Sequence, residues 1–344
     1  MFAVETFDEM RRVRMTALCG SLAAVLIGWG PADRLLPGIQ SPGTGDNSPW
    51  TGDNSSWTAD NLVPTARTVM DWELRRGWLP MELNEAVESW VLRLTSDRKS
   101  VFEYALSRAG LYSDMIRAEL RERGMPEELL YLALVESDFH TDARSRVLAS
   151  GMWQFMEPTA RLYGLRIDAY VDERYDPVRA TAAALDHLSD LYQEYGSWYL
   201  AAAAYNAGSV RVSDALRRYT DGRIGDDSLY WEISDHLPRE TANYVPKLLA
   251  VTYLARSAAR YGLEVRPVDP YEYDFIWSPG GVDLGEVAHS LGIEAEQMYD
   301  LNPQLIRHIT PPGEMYALRI PVGMASQVVA ALASPNPGTR LADD

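Results

Sequence analysis

The sequence has 344 residues, enough for two domains, and 47% of them are hydrophobic, as in globular proteins with an apolar core. Its formal net charge of −17 and the lack of a basic stripe past the first fifteen residues argue against a nucleic-acid partner. Its single cysteine, Cys19, excludes an intrachain disulfide, and no metal is expected because metal-ligand spacing is lacking among His140, His187, His236, His289 and His308.

The N-terminus, residues 1–32, has the form of a secretory signal. Three arginines precede an uncharged run from Met15 to Trp29, and small residues suited to cleavage follow it. The run is too short to cross a bilayer comfortably. Cys19 lies before most of this run, so a plain signal is favoured over a lipidated cysteine. We therefore expect export to the periplasm or cell envelope, with membrane association as an alternative.

Residues 33–62 predict a flexible linker. They are rich in Gly, Pro, Ser, Asn and Asp, and they contain three copies of a seven-residue near-repeat that begin at Thr44, Thr51 and Thr58. Hydrophobicity there is too low to drive packing. The two tryptophans between the copies could contact a sugar or a protein, but the composition favours an unstructured linker.

Residues 63–265 predict an all-α domain, because helical patterns with short connections follow one another. Asp176 is a suitable N-cap, and a proline follows it at the first helical position. Pro246 is expected to interrupt the last helical pattern. The predicted helices are Pro126–Ser137, Pro177 to about Gly196, Trp198–Asn206 and Lys247 to about Tyr261.

Residues 266–330 predict a small separate module, and residues 331–344 a polar tail. The segment after Gly262 is proline-rich and extended, and short elements follow in the order β-α-α-β. The predicted elements are strand Asp274–Ser278, helices Asp283–Leu291 and Glu294–Leu301, and strand Ala317–Val322.

Glu136 is the first candidate for chemistry. Helical spacing places it on one apolar stripe with Leu132 and Leu129. A carboxyl group on such a stripe is costly to ionise, so its pKa should rise, which suits a general acid near neutral pH. A glutamate at a helix end that reaches water is the alternative, and for Glu136 taken alone it is favoured.

Three further motifs follow along the chain. Residues 151–155, Gly-Met-Trp-Gln-Phe, offer an aromatic stacking face and an amide for a sugar, or they form a turn before a core helix. Tyr205 and Asn206 could orient a carboxyl group and a substrate amide, or they belong to a helix cap with Gly208. Tyr244 could present its hydroxyl to a cleft, although its motif alone is weak.

Taken together, the ordered motifs Glu-Ser, Gly-x-x-Gln, Ala-Tyr-Asn-x-Gly and Glu-Thr-x-x-Tyr-Val resemble the soluble-lytic-transglycosylase domain, a goose-lysozyme-like α fold. The resemblance spans roughly Leu111 to Tyr261. With the upstream helical segment and the terminal module, the whole chain resembles the membrane-bound lytic transglycosylase D group, in which Trp153 is typical of the Gly-x-x-Gln motif. Members often carry a lipid-anchoring cysteine after the signal, which this sequence does not have there.

The resemblance implies a role for each matching residue. Glu136 would be the catalytic acid and base, and Ser137 would hydrogen-bond near it. Gln154 matches a glutamine that contacts substrate in the groove. Tyr205 and Asn206 match a pair of residues beside the glutamate. Tyr244 matches the tyrosine that helps to position it.

The C-terminal module resembles LysM, which binds chains containing N-acetylglucosamine. The matching residues are Asp283–Ala288, Met298–Pro303 and Leu318–Pro321. The usual Gly-Asp-Thr opening is replaced by Gly-Val-Asp, and the last loop is lengthened. Glycan binding is expected, with a degenerate packing domain as the alternative. The expected fold is therefore mainly α, a lysozyme-like helical catalytic domain followed by a small β-α-α-β LysM-like module.

Only one convincing carboxylate is present, whereas most glycoside hydrolases use two. Asp138 should point to another face of the helix, and Asp142 falls past its expected end. The resemblance implies that Glu136 protonates the oxygen between N-acetylmuramic acid and N-acetylglucosamine, with help from the substrate's own N-acetyl group. Glu136 would then take the C6 hydroxyl proton to close a 1,6-anhydro ring, without a cofactor. A lysozyme-like hydrolase and a non-catalytic peptidoglycan-binding scaffold are the alternatives.

Overall fold

The computed structural model describes residue 77 and residues 79–333. The predicted signal 1–32, the predicted linker 33–62 and all but three residues of the predicted tail lie outside the described residues. The described part is mainly helical with one small antiparallel sheet, which confirms the predicted fold class. None of its helices has the length and apolar character that a membrane span requires.

Ten α-helices precede the sheet within the described part. They are α1 (Glu85–Thr95), α2 (Lys99–Arg108), α3 (Ser113–Glu122), α4 (Tyr131–Ser137), α5 (Glu157–Leu162), α6 (Pro177–Tyr195), α7 (Trp198–Ala207), α8 (Ser209–Tyr219), α9 (Ser228–Ile233) and α10 (Arg239–Arg256). Short 3₁₀ turns lie at Ala109–Leu111, Glu127–Leu130, Ser234–His236 and Ala258–Tyr261.

Helix α7 lies at the centre of the helical part. Ser197 caps its first turn by accepting a hydrogen bond from the backbone N–H of Leu200 at 3.1 Å. Four consecutive alanines, residues 201–204, are fully buried, and their small side chains let α6, α8 and α10 pack closely around α7. Before it, α6 begins at the predicted N-cap Asp176 and ends at Gly196, which has a left-handed φ of 61°.

Helix α10 is continuous through Pro246, so the predicted interruption is wrong. A proline removes the hydrogen bond to the carbonyl four residues earlier, here that of Ala242. The buried hydroxyl of Tyr230 donates to the carbonyls of Ala242 and Thr241, both at 3.0 Å. The tyrosine therefore replaces the lost partner, and the helix continues.

The predicted helix over residues 126–137 is in fact two elements, the 3₁₀ turn Glu127–Leu130 and α4. Tyr131, which joins them, keeps a helical φ of −73° and is largely buried. The tighter first turn changes the rotation of the chain before α4. Leu129 and Leu132 are nevertheless fully buried and Glu136 is half-buried, as the predicted apolar stripe required.

The C-terminal part has the predicted β-α-α-β order, and a further helix follows. Its elements are β1 (Asp274–Ser278), α11 (Leu284–Leu291), α12 (Ala295–Leu301), β2 (Tyr316–Ile320) and α13 (Ala325–Ala333). The strands are antiparallel, with Ile276 opposite Leu318. Both of these residues are buried in a small apolar core of this part.

Residues of the helical part complete that small core. Val171, between α5 and α6, is fully buried in it and forms a backbone bridge with Leu305. The guanidinium of Arg319 on β2 donates to both carboxylate oxygens of Asp176, at 2.8 and 2.7 Å, and both side chains are buried. The LysM-like part is thus joined to the helical part by shared packing and a buried ion pair.

Candidate active site

Glu136 lies in the last turn of α4, directly after a run of buried residues. Protein atoms crowd its carboxyl group, while the residue keeps partial access to solvent. Burial raises the pKa of Glu136 from 4.5 to about 7, against the lowering effects of Tyr244 and Lys247. Near neutral pH the group is therefore present in both forms, as general acid–base catalysis requires.

Helix α10 supplies the side chains that hold Glu136. The hydroxyl of Tyr244, itself buried, donates to Oε1 of Glu136 at 2.6 Å. One turn later, Nζ of Lys247 donates to the backbone carbonyl of Val135 at 2.9 Å. The pKa of Lys247 is lowered by burial. Tyr244 and Lys247 thus fix the last turn of α4 through one side-chain contact and one backbone contact.

Ser137 holds the end of α4 against the next loop. Its hydroxyl lies 2.8 Å from the carbonyl of Met152 and 3.2 Å from that of Ala133. Asp138 and Phe139 then have left-handed φ values of 52° and 63°, which turn the chain sharply away. Ser137 therefore joins the end of α4 to the loop that carries Gln154.

The loop 151–155 packs tightly against the start of α6. Gly151 has a φ of 82°, and a Cβ atom there would lie 1.8 Å from the carbonyl oxygen of Arg174, so no other residue fits without a backbone shift. Nε2 of Gln154 donates to the carbonyl of Gly151 at 2.7 Å and more weakly to that of Ala143 at 3.3 Å. The amide of Gln154 is thus held in one orientation.

The stacking face predicted for Trp153 is wrong. Trp153 is fully buried, and its indole Nε1 donates to the hydroxyl of Thr181 on α6 at 3.0 Å. The ring is therefore unavailable to a sugar. The alternative, a turn that leads into the core, agrees with the burial of Trp153.

Tyr205 and Asn206, at the end of α7, connect elements around the site. The hydroxyl of Tyr205 donates to the carbonyl of Trp153 at 2.9 Å. Burial raises the pKa of Tyr205 well above 10, and the charge of nearby Glu136 raises it further. Asn206 accepts from the hydroxyl of Thr241 on α10 at 2.8 Å, and its Nδ2 lies 3.4 Å from Glu240. Tyr205 thus lies beside Glu136, whereas Asn206 joins α7 to α10.

Sequence reasoning missed Lys247 and His187. Lys247 follows Tyr244 by three residues, a helical spacing that places both on one face and could have identified it. The ring of His187 on α6 lies 5.1 Å from that of Tyr205 and 4.8 Å from that of Tyr163. Burial lowers the pKa of His187 to about 4, so it is neutral at pH 7 and supports Tyr205 by packing.

Other carboxyl groups near the site are poor partners for Glu136. Asp142 is 88% exposed in its side chain and lies 3.6 Å from His140. Glu240 at the start of α10 raises the pKa of Glu136 through like charge. The described residues contain no group of three or more His, Cys, Asp or Glu arranged to hold a metal. The arrangement supports chemistry with one proton-transferring carboxyl group.

Comparisons with known proteins match two parts of the chain. Residues 114–226 match the Transglycosylase SLT domain, and residues 273–337 match the LysM-like domain of lytic transglycosylase MltD. The chain is 33% identical over 239 residues to membrane-bound lytic murein transglycosylase D of Escherichia coli, covering 69% of this chain and 52% of that protein. The chain thus spans about half the length of this relative.

Two further likenesses cover less. Peptidoglycan transglycosylase gp16 of Escherichia phage T7 is 31% identical over 159 residues, which are 45% of this chain and 10% of that protein. The solved structure of an inactive mutant of lytic transglycosylase Slt from Pseudomonas aeruginosa is 26% identical with a TM-score of 0.36, covering 45% of this chain and 24% of that chain.

Tyr244 and Lys247 lie beyond the residues that match the SLT domain.

Proposed function

We propose that this chain, whose residues 114–226 match the Transglycosylase SLT domain, is a lytic transglycosylase that cleaves peptidoglycan glycan strands without water. The bond would be the β-1,4 bond from N-acetylmuramic acid to N-acetylglucosamine, and the product would end in 1,6-anhydromuramic acid. The observation that carries the proposal is the buried contact between Tyr244 and Glu136, a carboxyl group with a pKa of about 7.

In the first step, protonated Glu136 gives its proton to the glycosidic oxygen. With a pKa of about 7, close to half of the Glu136 carboxyl groups carry that proton at neutral pH. The bond from C1 of muramic acid to this oxygen breaks, and the leaving sugar departs with a hydroxyl. The muramoyl N-acetyl oxygen stabilises the positive centre at C1, so a second protein carboxylate is not required.

In the second step, Glu136 acts as the base. The carboxylate formed in the first step takes the proton of the C6 hydroxyl, and the C6 oxygen attacks C1 to close the anhydro ring. The hydrogen bond from Tyr244 and the charge of Lys247 both favour the carboxylate, which keeps its pKa low enough for the first transfer. The proton taken up balances the proton given, and the enzyme returns to its starting form.

The remaining side chains support this chemistry by position. Ser137 and Tyr205 both bond to backbone carbonyls of the loop that presents Gln154, so they set the distance between this loop and Glu136. Gln154 would contact the glycan with its amide oxygen, since its amide nitrogen already donates to the carbonyl of Gly151. Asn206 would act through α10, whose first turn it holds.

We further propose the predicted domain limits and an envelope location for the protein. Residues 63–265 would form the catalytic domain and residues 266–330 a module that holds the same glycan strands. The name of the Escherichia coli relative, which calls it membrane-bound, supports an envelope location. The predicted signal at residues 1–32 is consistent with export.

Digestion of purified peptidoglycan, followed by mass analysis of the soluble products, tests the reaction. Anhydro ends are expected from the wild-type chain. Products one water heavier would assign a lysozyme-like hydrolase instead, and an inactive wild-type chain would favour a scaffold. Glu136→Gln should abolish cleavage, whereas Glu157→Gln, at an exposed glutamate of α5, should leave it unchanged. Cleavage by the Glu136→Gln chain would refute the assignment of the acid.

A further inference from the structure

A recess of about 230 Å³ opens beside Glu136, between α1 and α2 on one side and α4 and α10 on the other. We call it the basic recess. Its α4 and α10 walls carry Glu136 and Lys247, described above, whereas its α1 and α2 walls have had no part in the proposed reaction and lie before the residues that match the SLT domain. Its polar lining residues, together with Trp90, are Arg93, Arg98, Glu136, Ser137, Asp138 and Lys247.

Trp90 fixes α1 to the catalytic elements. Its indole Nε1 donates to the side-chain oxygen of Asn243 at 3.2 Å, next to Tyr244 on α10. The guanidinium of Arg93 lies 5.0 Å from the centre of the Trp90 ring, and Nζ of Lys247 lies 6.0 Å from it. The aromatic ring therefore holds two cations at the wall of the recess, and Arg98 at the start of α2 adds a third.

The charges that line the recess do not balance. Three cations face two carboxyl groups, those of Asp138 and Glu136, and burial raises the pKa of Glu136, which disfavours its ionised form. In the part of the chain that the structure describes, no carboxylate lies within 4.0 Å of the guanidinium of Arg93 or Arg98. The guanidinium groups of Arg93 and Arg98, which have no carboxylate partner among the described residues, thus face a recess next to the Glu136 carboxyl group.

We propose that the basic recess binds a carboxylate carried by the muramoyl substituent of the substrate, an inference that rests on the proposed function. N-acetylglucosamine is neutral, whereas each muramic acid carries a lactyl ether that ends either in a free carboxylate or in a peptide with carboxylates. In the proposed reaction Glu136 acts at the bond next to muramic acid, and Glu136 also lines the recess, so the sugar that carries this substituent would be bound beside it. Arginine binds carboxylates through paired, charge-assisted hydrogen bonds.

Binding to the Glu136→Gln chain, measured by calorimetry, tests the proposal with three probes. They are a peptidoglycan tetrasaccharide with its peptides, the same tetrasaccharide after amidase removes the peptides, and chitotetraose, which carries no carboxylate. The double change Arg93→Gln and Arg98→Gln removes both guanidinium groups. Both residues are exposed, so folding should be unaffected. Arg218→Gln, at an exposed arginine of α8, is the matched control.

The double change should weaken binding of at least one carboxylate-bearing probe by about tenfold or more, since a hydrogen bond to a charged group contributes about 1.5–3 kcal/mol. Chitotetraose binding should stay the same. An effect on the peptide-bearing probe alone assigns a stem-peptide carboxylate, because the lactyl carboxyl is an amide in that probe. An effect on the amidase-treated probe alone assigns the lactyl carboxylate, and an effect on both shows that the recess accepts either carboxylate. Equal weakening of chitotetraose, or no change with any probe, would overturn the proposal.

Products of the wild-type chain separate this inference from the proposed reaction. If the wild-type chain forms anhydro products and the double arginine change leaves binding of every probe unchanged, only the proposed role of the basic recess is overturned. Carboxylate-dependent binding without any cleavage by the wild-type chain would overturn the proposed reaction alone.

Discussion

Tyr244→Phe tests how the site sets the acidity of Glu136. The change removes a hydroxyl that donates to Oε1 of Glu136 at 2.6 Å and keeps the buried ring. This hydrogen bond favours the carboxylate and lowers the pKa of Glu136, while burial holds that pKa at about 7. Without it, the carboxylate loses about 1.5–3 kcal/mol of stabilisation, and the pKa rises by about 1–2 units.

The pH dependence of kcat/KM measures the shift. Because Glu136 must be protonated to act as the acid, the alkaline limb of the profile reports its pKa in the free enzyme. For the wild-type chain this limb should lie near pH 7, and for Tyr244→Phe it should move to higher pH. The rate at low pH should fall as well, because the same hydroxyl steadies the carboxylate that forms during the reaction.

Tyr219→Phe is the control, since the Tyr219 side chain lies on the surface of α8 and the residue is 49% exposed. A direct titration of the labelled Glu136 carboxyl carbon by NMR gives the same pKa without turnover. An alkaline limb that stays in place, or moves to lower pH, would refute the assignment of Tyr244 as the donor that favours the carboxylate.

Three further predictions concern stability, measured by denaturant unfolding. Burial raises the pKa of Glu136 from 4.5 to about 7, so the folded state binds this proton more tightly than the unfolded state. The free energy of unfolding of the wild type should therefore fall by up to about 3 kcal/mol relative to that of Glu136→Gln between pH 4.5 and pH 8. An equal pH dependence of the two free energies would contradict this. Arg319→Met should cost about 3 kcal/mol, because buried Asp176 keeps its two backbone donors at the start of α6 but loses its cationic partner, whereas Arg266→Met at an exposed pair should change little. Gly151→Ala should prevent stable folding because its Cβ would meet the Arg174 carbonyl. Gly164 also has a positive φ, of 78°, but open space around it, so Gly164→Ala should cost only about 1–2 kcal/mol. Similar costs for the two variants would exclude the steric explanation.

The mainly helical fold and its terminal β-α-α-β part could be predicted because their signals are local. Asp176 before a proline, and glycines at helix ends, act within a turn of where they stand. The continuity of α10 could not be predicted in this way. It depends on the hydroxyl of Tyr230, which meets Ala242 only after α9 packs on α10.

The same distinction separates the site residues that were predicted from those that were missed. Glu136, Ser137 and Tyr244 were identified through ordered motifs, and the structure joins Glu136 to Tyr244 directly. The burial of Trp153 was missed because a five-residue motif does not reveal which face of the turn meets α6. The role of Trp90 was missed since its partner, Asn243, lies 153 residues later in the chain.

The two α10 carbonyls that accept hydrogen bonds from the Tyr230 hydroxyl have a consequence for the position of Tyr244. They belong to the turn that carries Tyr244, so the aim of that tyrosine depends on a hydroxyl buried behind the helix. Tyr230 is fully buried, and no sugar reaches it. The hydrogen bond between Tyr244 and Glu136 thus depends on a side chain on the far side of α10. Loss of the Tyr230 hydroxyl alone should loosen the turn of α10 that holds Tyr244, although no residue in contact with Glu136 has changed.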